Sequence, residues 1–321
     1  MRSVSPCWTS LLANDMGPAA HLPVLYKTII TALQPETGGL YIDGTLGAGG
    51  HSAGILETSA PDGQLLGMDL DPQALALARE TLAPFGERAH IVEASYTQMR
   101  TEADRLGWQA VDGILLDFGV SSMQLDTPER GFSFLHDGPL DMRFSPQASL
   151  SAAELVNTLD EAGLADIIYQ YGEERLSRKI ARAIINNRPL HTTRALADLI
   201  QKHIGRPERN HPATRTFQAL RIAVNGELDS IKTVLPLALD LLKPGGRLAV
   251  ISFHSLEDRL VKEYFRREGA DCICPPRQPV CTCGHKASLK EMNRKVIEAD
   301  EIERQTNPRA RSAKLRIAEK L

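Results

Sequence analysis

Three carboxylates stand where apolar runs end, a position from which an acid can meet the hydroxyls or amines of a bound small molecule. Asp43 closes Leu40-Tyr41-Ile42, Asp69 closes a run that begins at Gln64, and Asp117 closes Val111–Leu116. A lone acid there is commonly a cap or a salt-bridge partner, but three at equivalent ends point to a binding site. Between the first two lies Gly44-Thr45-Leu46-Gly47-Ala48-Gly49-Gly50-His51. Its glycines allow positive φ and close backbone approach, and the helix expected over 52–58 opens with unpaired N–H groups, so a polar ligand is expected at this turn. Asp69 lies 20 residues beyond Gly49, the offset at which dinucleotide-type folds set a carboxylate on ribose hydroxyls. The turn is not a Gly-x-Gly-x-x-Gly, because Ser52 takes the third glycine position counted from Gly47, and no Gly-Lys-Ser/Thr follows. Triphosphate binding is therefore not expected.

Other groups with chemical potential lie further along. Tyr96 follows a third strand-like run, His90–Ala94, and is read either as a surface for an adenine ring or as a core aromatic. His254 and Glu257 either face the site or brace the helix that Ser255-x-x-Asp258 is expected to cap. From Gly172 to Arg221 there are 11 Lys or Arg against 4 Asp or Glu, which gives +7 there and −10 elsewhere in a chain of net charge −3. Arg175, Arg178, Lys179 and Arg182 fall at i, i+3, i+4 and i+7 of an expected helix over 174–185, with Arg206, Arg209 and Arg215 nearby; phosphates are the natural match. Cys272-x-Cys274 and Cys281-x-Cys283, with His285 behind them, are zinc-capable. Their one-residue gaps depart from the usual spacing, and a reduced, turn-rich loop without metal is the expectation.

These residues need a scaffold, and the hydrophobic patterning describes one. Strand and helix alternate up to Asp117, which implies a parallel, doubly wound sheet with its site along the carboxyl ends of the strands. A short amphipathic helix is expected over 21–33, Asp71-Pro72 supplies an N-cap and a first helical residue, and that helix should stop near Gly86. After Asp117 the alternation lapses for about a hundred residues. Arg130-Gly131-Phe132-Ser133-Phe134 and Gly138–Arg143 read as ordered loop, Ser151-x-x-Glu154 as a capping box, and 164–171, 174–185, 194–204 and 213–224 as helices. The sheet resumes after a helix over 228–242 and the turn Lys243-Pro244-Gly245-Gly246, with last strands expected at 294–297 and 313–318. The expected organisation is an N-terminal extension 1–20, a discontinuous α/β domain 21–129 and 226–321, and an inserted helical domain 130–225.

Composition excludes several classes. The 321 residues are 42% hydrophobic and 24% charged, ordinary for a soluble globular protein, and no apolar run approaches the roughly 20 residues of a membrane span. The first 20 residues carry a single basic residue, Arg2, and no continuous apolar core, so no secretory signal is expected, and Met16 is an alternative start. Five cysteines, four of them crowded between Cys272 and Cys283, suit a reducing cytoplasm. Monomer and homodimer both remain open.

A glycine-rich loop after the first strand, acids ending the second and fourth, and Lys-Pro-Gly-Gly before the fifth suggest a methyltransferase using S-adenosylmethionine, and the last feature argues against a dehydrogenase. From His21 onward the chain closely resembles the MraW family of ribosomal RNA methyltransferases. The motifs that carry this are Asp43-Gly44-Thr45-x-Gly47-x-Gly49-Gly50-His51, Leu115-Leu116-Asp117-x-Gly119-Val120-Ser121-Ser122-x-Gln124-Leu125-Asp126, Glu129–Phe134, His211–Ala219, Ser252–Arg259 and Asn307–Ser312. Together they are very specific. Two departures stand out: Thr28 occupies a position where members commonly carry an acid, and residues 1–20 have no counterpart.

The resemblance implies a class I S-adenosylmethionine-dependent methyltransferase, α/β with a Rossmann-like, mostly parallel sheet and an inserted helical domain. It implies N4-methylation of a cytidine in the decoding region of 16S rRNA within the small ribosomal subunit. It places cofactor contacts on Gly49, Gly50, His51, Asp69, Tyr96, Asp117 and Gln124. By analogy to the Asp/Asn-Pro-Pro-aromatic loops of amino methyltransferases, Asp117 serves the base, the cofactor or both, and Phe118 or Phe132 is a candidate to stack on an extruded cytidine. Two other functions fit the same residues: an RNA-binding assembly factor that senses the cofactor, or a methyltransferase for a protein or metabolite, which the +7 segment disfavours.

Overall fold

The computed structural model describes residues 23–205, 211–275, 278 and 280–321; the 1–20 extension with Met16, His21, Arg206 and Arg209 lie outside the described residues. Seven strands form one sheet: β1 Leu40–Asp43, β2 Gln64–Asp69, β3 Ala89–Glu93, β4 Val111–Asp117, β5 Leu242–Ser252, β6 Leu289–Glu291 and β7 Lys314–Lys320. Their order is β3-β2-β1-β4-β5-β7-β6, with β7 antiparallel to both neighbours and β3 through β5 parallel. The connection reverses direction between β1 and β4, the crevice at which open α/β sheets bind ligands.

Strand register decides where the acids point. Asp43 pairs with Gly67 on one side and with Leu115 on the other. Asp69 and Asp117 each lie two residues beyond those partners, so by the alternation of side chains all three acids leave the same face. On that face Tyr41, Leu65, Leu115 and Ile251 pack with Ile55 and Leu56 of the helix Gly50–Thr58. Ile42, Leu66, Ile114, Leu116 and Val250 pack on the other, against the helices Glu227–Leu241 and Ser255–Glu268.

A third cluster of buried residues is separate from both sheet faces. Phe132, Leu140 and Met142 come from the segment after β4, and Leu155, Ile168, Ile184, Ile200 and Leu220 from five of the helices that follow. No described helix is long and apolar enough to cross a membrane.

Local chemistry shifts several element ends. The helix expected from 174 begins at Ser177 because Glu173 sits in the left-handed region (φ 50°) and the Glu174 carboxylate accepts the Leu176 N–H. Arg175 therefore precedes the helix and does not share its face. The cap of the helix Ser255–Glu268 is His254, reciprocated by Glu257, one residue earlier than expected. Lys243–Gly246 does not precede the fifth strand but bulges within it, because Val111 pairs with Leu242 while Gly113 already pairs with Arg247. The edge strand is 289–291; of the expected strand 294–297, Ile297 makes only an isolated bridge to Leu315.

Two left-handed glycines separate backbone conformation from crowding. Gly226 (φ 59°) has open space where a Cβ would stand, whereas at Gly131 (φ 71°) that atom would run into the Pro139 carbonyl oxygen and sit 2.7 Å from the Asp141 nitrogen. Gly226→Ala should cost about 1 kcal/mol of unfolding free energy, and Gly131→Ala several times that, because two backbone segments must part. Equal losses in urea melts would contradict this account of Gly131.

Candidate functional site

The glycine-rich turn is stapled to the ends of three strands before any ligand arrives. Asp43, buried at the end of β1, accepts the Thr45 N–H at 3.1 Å and the Ser52 hydroxyl at 2.7 Å. Thr45 Oγ1 accepts the Asp117 N–H at 2.6 Å, Gly44 N–H reaches the Leu115 carbonyl, and Gly47 N–H donates to Asp69 Oδ2 at 2.8 Å. Asp69 Oδ1 takes the Asp71 N–H at 2.9 Å. Each Asp69 oxygen keeps a further lone pair for a ligand hydroxyl.

The glycines differ in purpose. A Cβ at Gly47 (φ 53°) would make only an ordinary contact with the Thr45 carbonyl oxygen at 3.9 Å, but at Gly49 it would meet Leu82 at 3.2 Å, and at Gly50 it would strike Pro23. Gly49 and Gly50 are thus small for packing against protein, and what they offer a ligand is backbone at a helix N-terminus. His51 also points inward: its Nε2 lies 2.9 Å from the Val24 carbonyl and its ring stacks near Tyr26, with burial lowering its pKa to about 4. It braces the segment ahead of β1 as a neutral imidazole.

Gln124 is committed within the protein as well. Its Oε1 accepts the Ser121 N–H at 3.0 Å and its Nε2 donates to Asp71 Oδ2 at 2.9 Å. The same Asp71 oxygen receives Arg130 Nη1, while Arg130 Nη2 donates to the carbonyls of Arg143 and Phe144. Asp71 is foreseen in the sequence only as a helix cap, which it also is, through Gln73 N–H.

Across the crevice lies a buried charge cluster. Oδ1 of Asp117 is buried and has no hydrogen-bond partner among the described residues. Burial raises its carboxyl well above the ordinary range, and the neighbouring carboxylates of Asp43 and Glu257 push in the same direction. Glu257 is fully buried; Arg221 Nη2 lies 3.8 Å from its Oε1, and its Oε2 accepts the Phe253 and His254 N–H groups. Nε2 of His254 stands 3.1 Å from Glu257 Oε1 without hydrogen-bond alignment. Arg221 binds Glu227 through two nitrogens, at 2.8 and 2.9 Å. Glu227, His254 and Glu257 are close enough to share a metal ion, but the cation between the two glutamates is Arg221 itself. Sequence reasoning missed the roles of Arg221, which it counts only as the end of the basic segment two residues past the His211–Ala219 motif, and of Glu227, which opens the next helix.

Tyr96 lies against this cluster. Its ring centroid is 5.8 Å from that of Phe118, a Cβ on Gly44 would touch its Cβ at 2.9 Å, and its phenol is raised by burial and by Glu227. Phe118 is buried in the sheet core, and Phe132 is buried against Phe144. Neither ring is placed to receive a base as the chain stands. The basic residues gather elsewhere: Arg178, Lys179 and Arg182 line an open cavity of roughly 300 Å³ with Asn186, Asn187 and His203. Arg182 is paired with Glu161 at 3.0 Å and Arg215 with Glu174 at 3.5 Å.

Asp69 carries a pH signature. Burial raises its carboxyl from 3.8 to about 6, so the folded chain holds this proton more tightly than the unfolded chain. The resulting stabilisation is complete below about pH 4 and is lost as pH rises through about 6, on the order of 2 kcal/mol. Asp69→Asn removes the titration, so the stability difference between native chain and variant should shift by that amount between pH 4 and pH 7. Parallel pH curves in denaturant unfolding would show that Asp69 is not buried in this way.

The profile of the MraW methylase family matches residues 18–321. A protein of Dehalococcoides mccartyi named ribosomal RNA small subunit methyltransferase H is 54% identical over 302 residues, 94% of this chain and 86% of that one. Proteins of the same name from Heliobacterium mobile and Geotalea uraniireducens are 51% and 52% identical, covering 94% and 95% of this chain and 99% and 100% of theirs. On identity of this extent, the chain belongs to the MraW methylase family and is an S-adenosylmethionine-dependent methyltransferase of α/β fold.

Proposed function

We propose that the chain methylates ribosomal RNA of the small subunit, at the exocyclic N4 of a cytidine in the decoding region of 16S rRNA, with the assembled small subunit as its substrate. The observation that carries the chemistry is Asp117 Oδ1, buried and unpartnered at the carboxyl end of β4. The relatives' names support the RNA class, and the cavity lined by Arg178, Lys179 and Arg182 supports a polyanionic partner.

Bound S-adenosylmethionine supplies an electrophilic methyl on a positively charged sulfur. Transfer of that methyl to N4 would leave a neutral thioether, and the proton displaced from N4 would pass to Asp117 or to solvent. Asp69 offers its spare lone pairs to the ribose hydroxyls, and the Gly47–Gly50 turn keeps backbone close to the donor. In the free chain burial, with Asp43 and Glu257 adding to it, disfavours charge on Asp117; a cation alongside would oppose this and favour a carboxylate able to accept the N4 hydrogens. Accepting them localises the nitrogen lone pair, which is otherwise delocalised into the ring. A cytidine must leave its stack to reach such a site.

Asp117→Asn keeps an acceptor but loses the charge, so the single-turnover rate on small subunits at saturating cofactor should fall by about 10²-fold or more, a loss exceeding any loss in cofactor affinity. Recovery of the full rate at high cofactor would reduce Asp117 to a cofactor contact. Replacing Arg178 and Lys179 by Gln should flatten the dependence of subunit binding on salt and leave cofactor affinity intact. An unchanged slope of log K against log salt would make that cavity plain solvated surface.

A further inference from the structure

Between the helix Ser255–Glu268 and β6, no described residue from Asp271 to Ser288 is buried, so no apolar core orders this stretch. Yet four free cysteines converge there. The Sγ atoms of Cys272, Cys274, Cys281 and Cys283 all lie within 4.8 Å of one another. Cys272 to Cys281 is 3.4 Å, Cys281 to Cys283 3.6 Å, Cys272 to Cys283 3.8 Å and Cys274 to Cys281 4.0 Å. Four sulfurs about 2.3 Å from a central zinc ion stand about 3.8 Å apart along the edges of their tetrahedron. We propose that these four thiolates hold one structural zinc ion.

Two further features suit thiolate ligands. Thr282 N–H donates to Cys274 Sγ and His285 N–H to Cys283 Sγ, each at 3.5 Å, the backbone bonds that orient sulfur toward a metal. Gly284, with φ 62°, turns the chain directly after the last cysteine so that the second of these bonds is made. The one-residue gaps, unusual in sequence, are accommodated because each pair contributes an edge of the tetrahedron. All four positions are filled by sulfur, so the ion is structural and has no open site for chemistry. It cross-links the approach to the sheet edge, where Ser288 N–H meets the Glu268 carbonyl and Leu321 N–H meets that of Ser288.

Elemental analysis of the full chain, purified without chelator or metal-affinity tag, should find about one zinc per chain. Exchange into cobalt should give thiolate-to-metal charge transfer and the intense visible bands of a tetrahedral site. Cys281→Ser with Cys283→Ser should abolish both and speed amide exchange across 270–290, while cofactor affinity stays unchanged and reports an intact fold. Metal-free chain with four freely reactive thiols, two disulfides by mass spectrometry of chain alkylated before lysis, or an iron–sulfur chromophore would each overturn the proposal.

Discussion

The carboxylate of Asp71, 1% exposed, gathers donors from three parts of the chain: the first turn of its own helix through Gln73, the loop after β4 through Gln124, and the segment beyond it through Arg130. A buried charge is tolerated only when it is paired and its lone pairs are filled, and here both conditions are met by residues far apart in sequence. Arg130 passes the connection on to the carbonyls of Arg143 and Phe144, and Asn225 holds the same strip through the Met142 carbonyl and the Phe144 N–H. Asp71 is therefore one tie between the sheet's ligand-facing edge and the helical cluster, and Glu173, which takes the Ser255 hydroxyl and the Arg259 guanidinium, is another. Removing any one donor leaves the others facing an under-satisfied anion, so the network behaves as a unit.

The opposite wall of the crevice is built on the contrary principle. Asp43, Asp117, Glu227 and Glu257 share a buried region with Arg221 and the His254 ring. Glu257 stays ionised beside His254 and Arg221, while Asp117 is denied a partner. Burial disfavours charge on Asp43, Asp117 and Glu227 in the free chain, so a cation placed beside them would shift these carboxyls toward their ionised forms.

What the sequence discloses and what it withholds divides along the range of the interaction. Acids at strand ends, the Asp71-Pro72 cap and the Ser151/Glu154 capping box are local patterns, and the structure shows each where expected. The start of the helix at Ser177 was not legible, since it turns on Glu173 taking a left-handed conformation that periodicity does not register. Gly49 and Gly50 read as ligand-approach positions, yet their neighbours are Leu82 and Pro23, contacts that exist only after folding. Gln124 and His51 match the family's motifs, but their side chains serve Asp71 and Val24. The pairing of Arg221 with Glu227 was not legible, because a buried pair six residues apart looks like surface charge until the helices are placed.

The position of β7 bears on how the molecule comes into being. It is wedged between β5 and β6 although it follows both in the chain, and the Leu25 N–H, ahead of β1, is held by the Glu303 carboxylate at 2.6 Å. A nascent chain that has made the whole ligand-facing edge still lacks the strand that shields β5 and the acid that ties down the segment braced by His51. Stalled or prematurely terminated chains should therefore expose an unpaired edge to aggregation and proteolysis, so quality control can act on them before they capture cofactor or RNA.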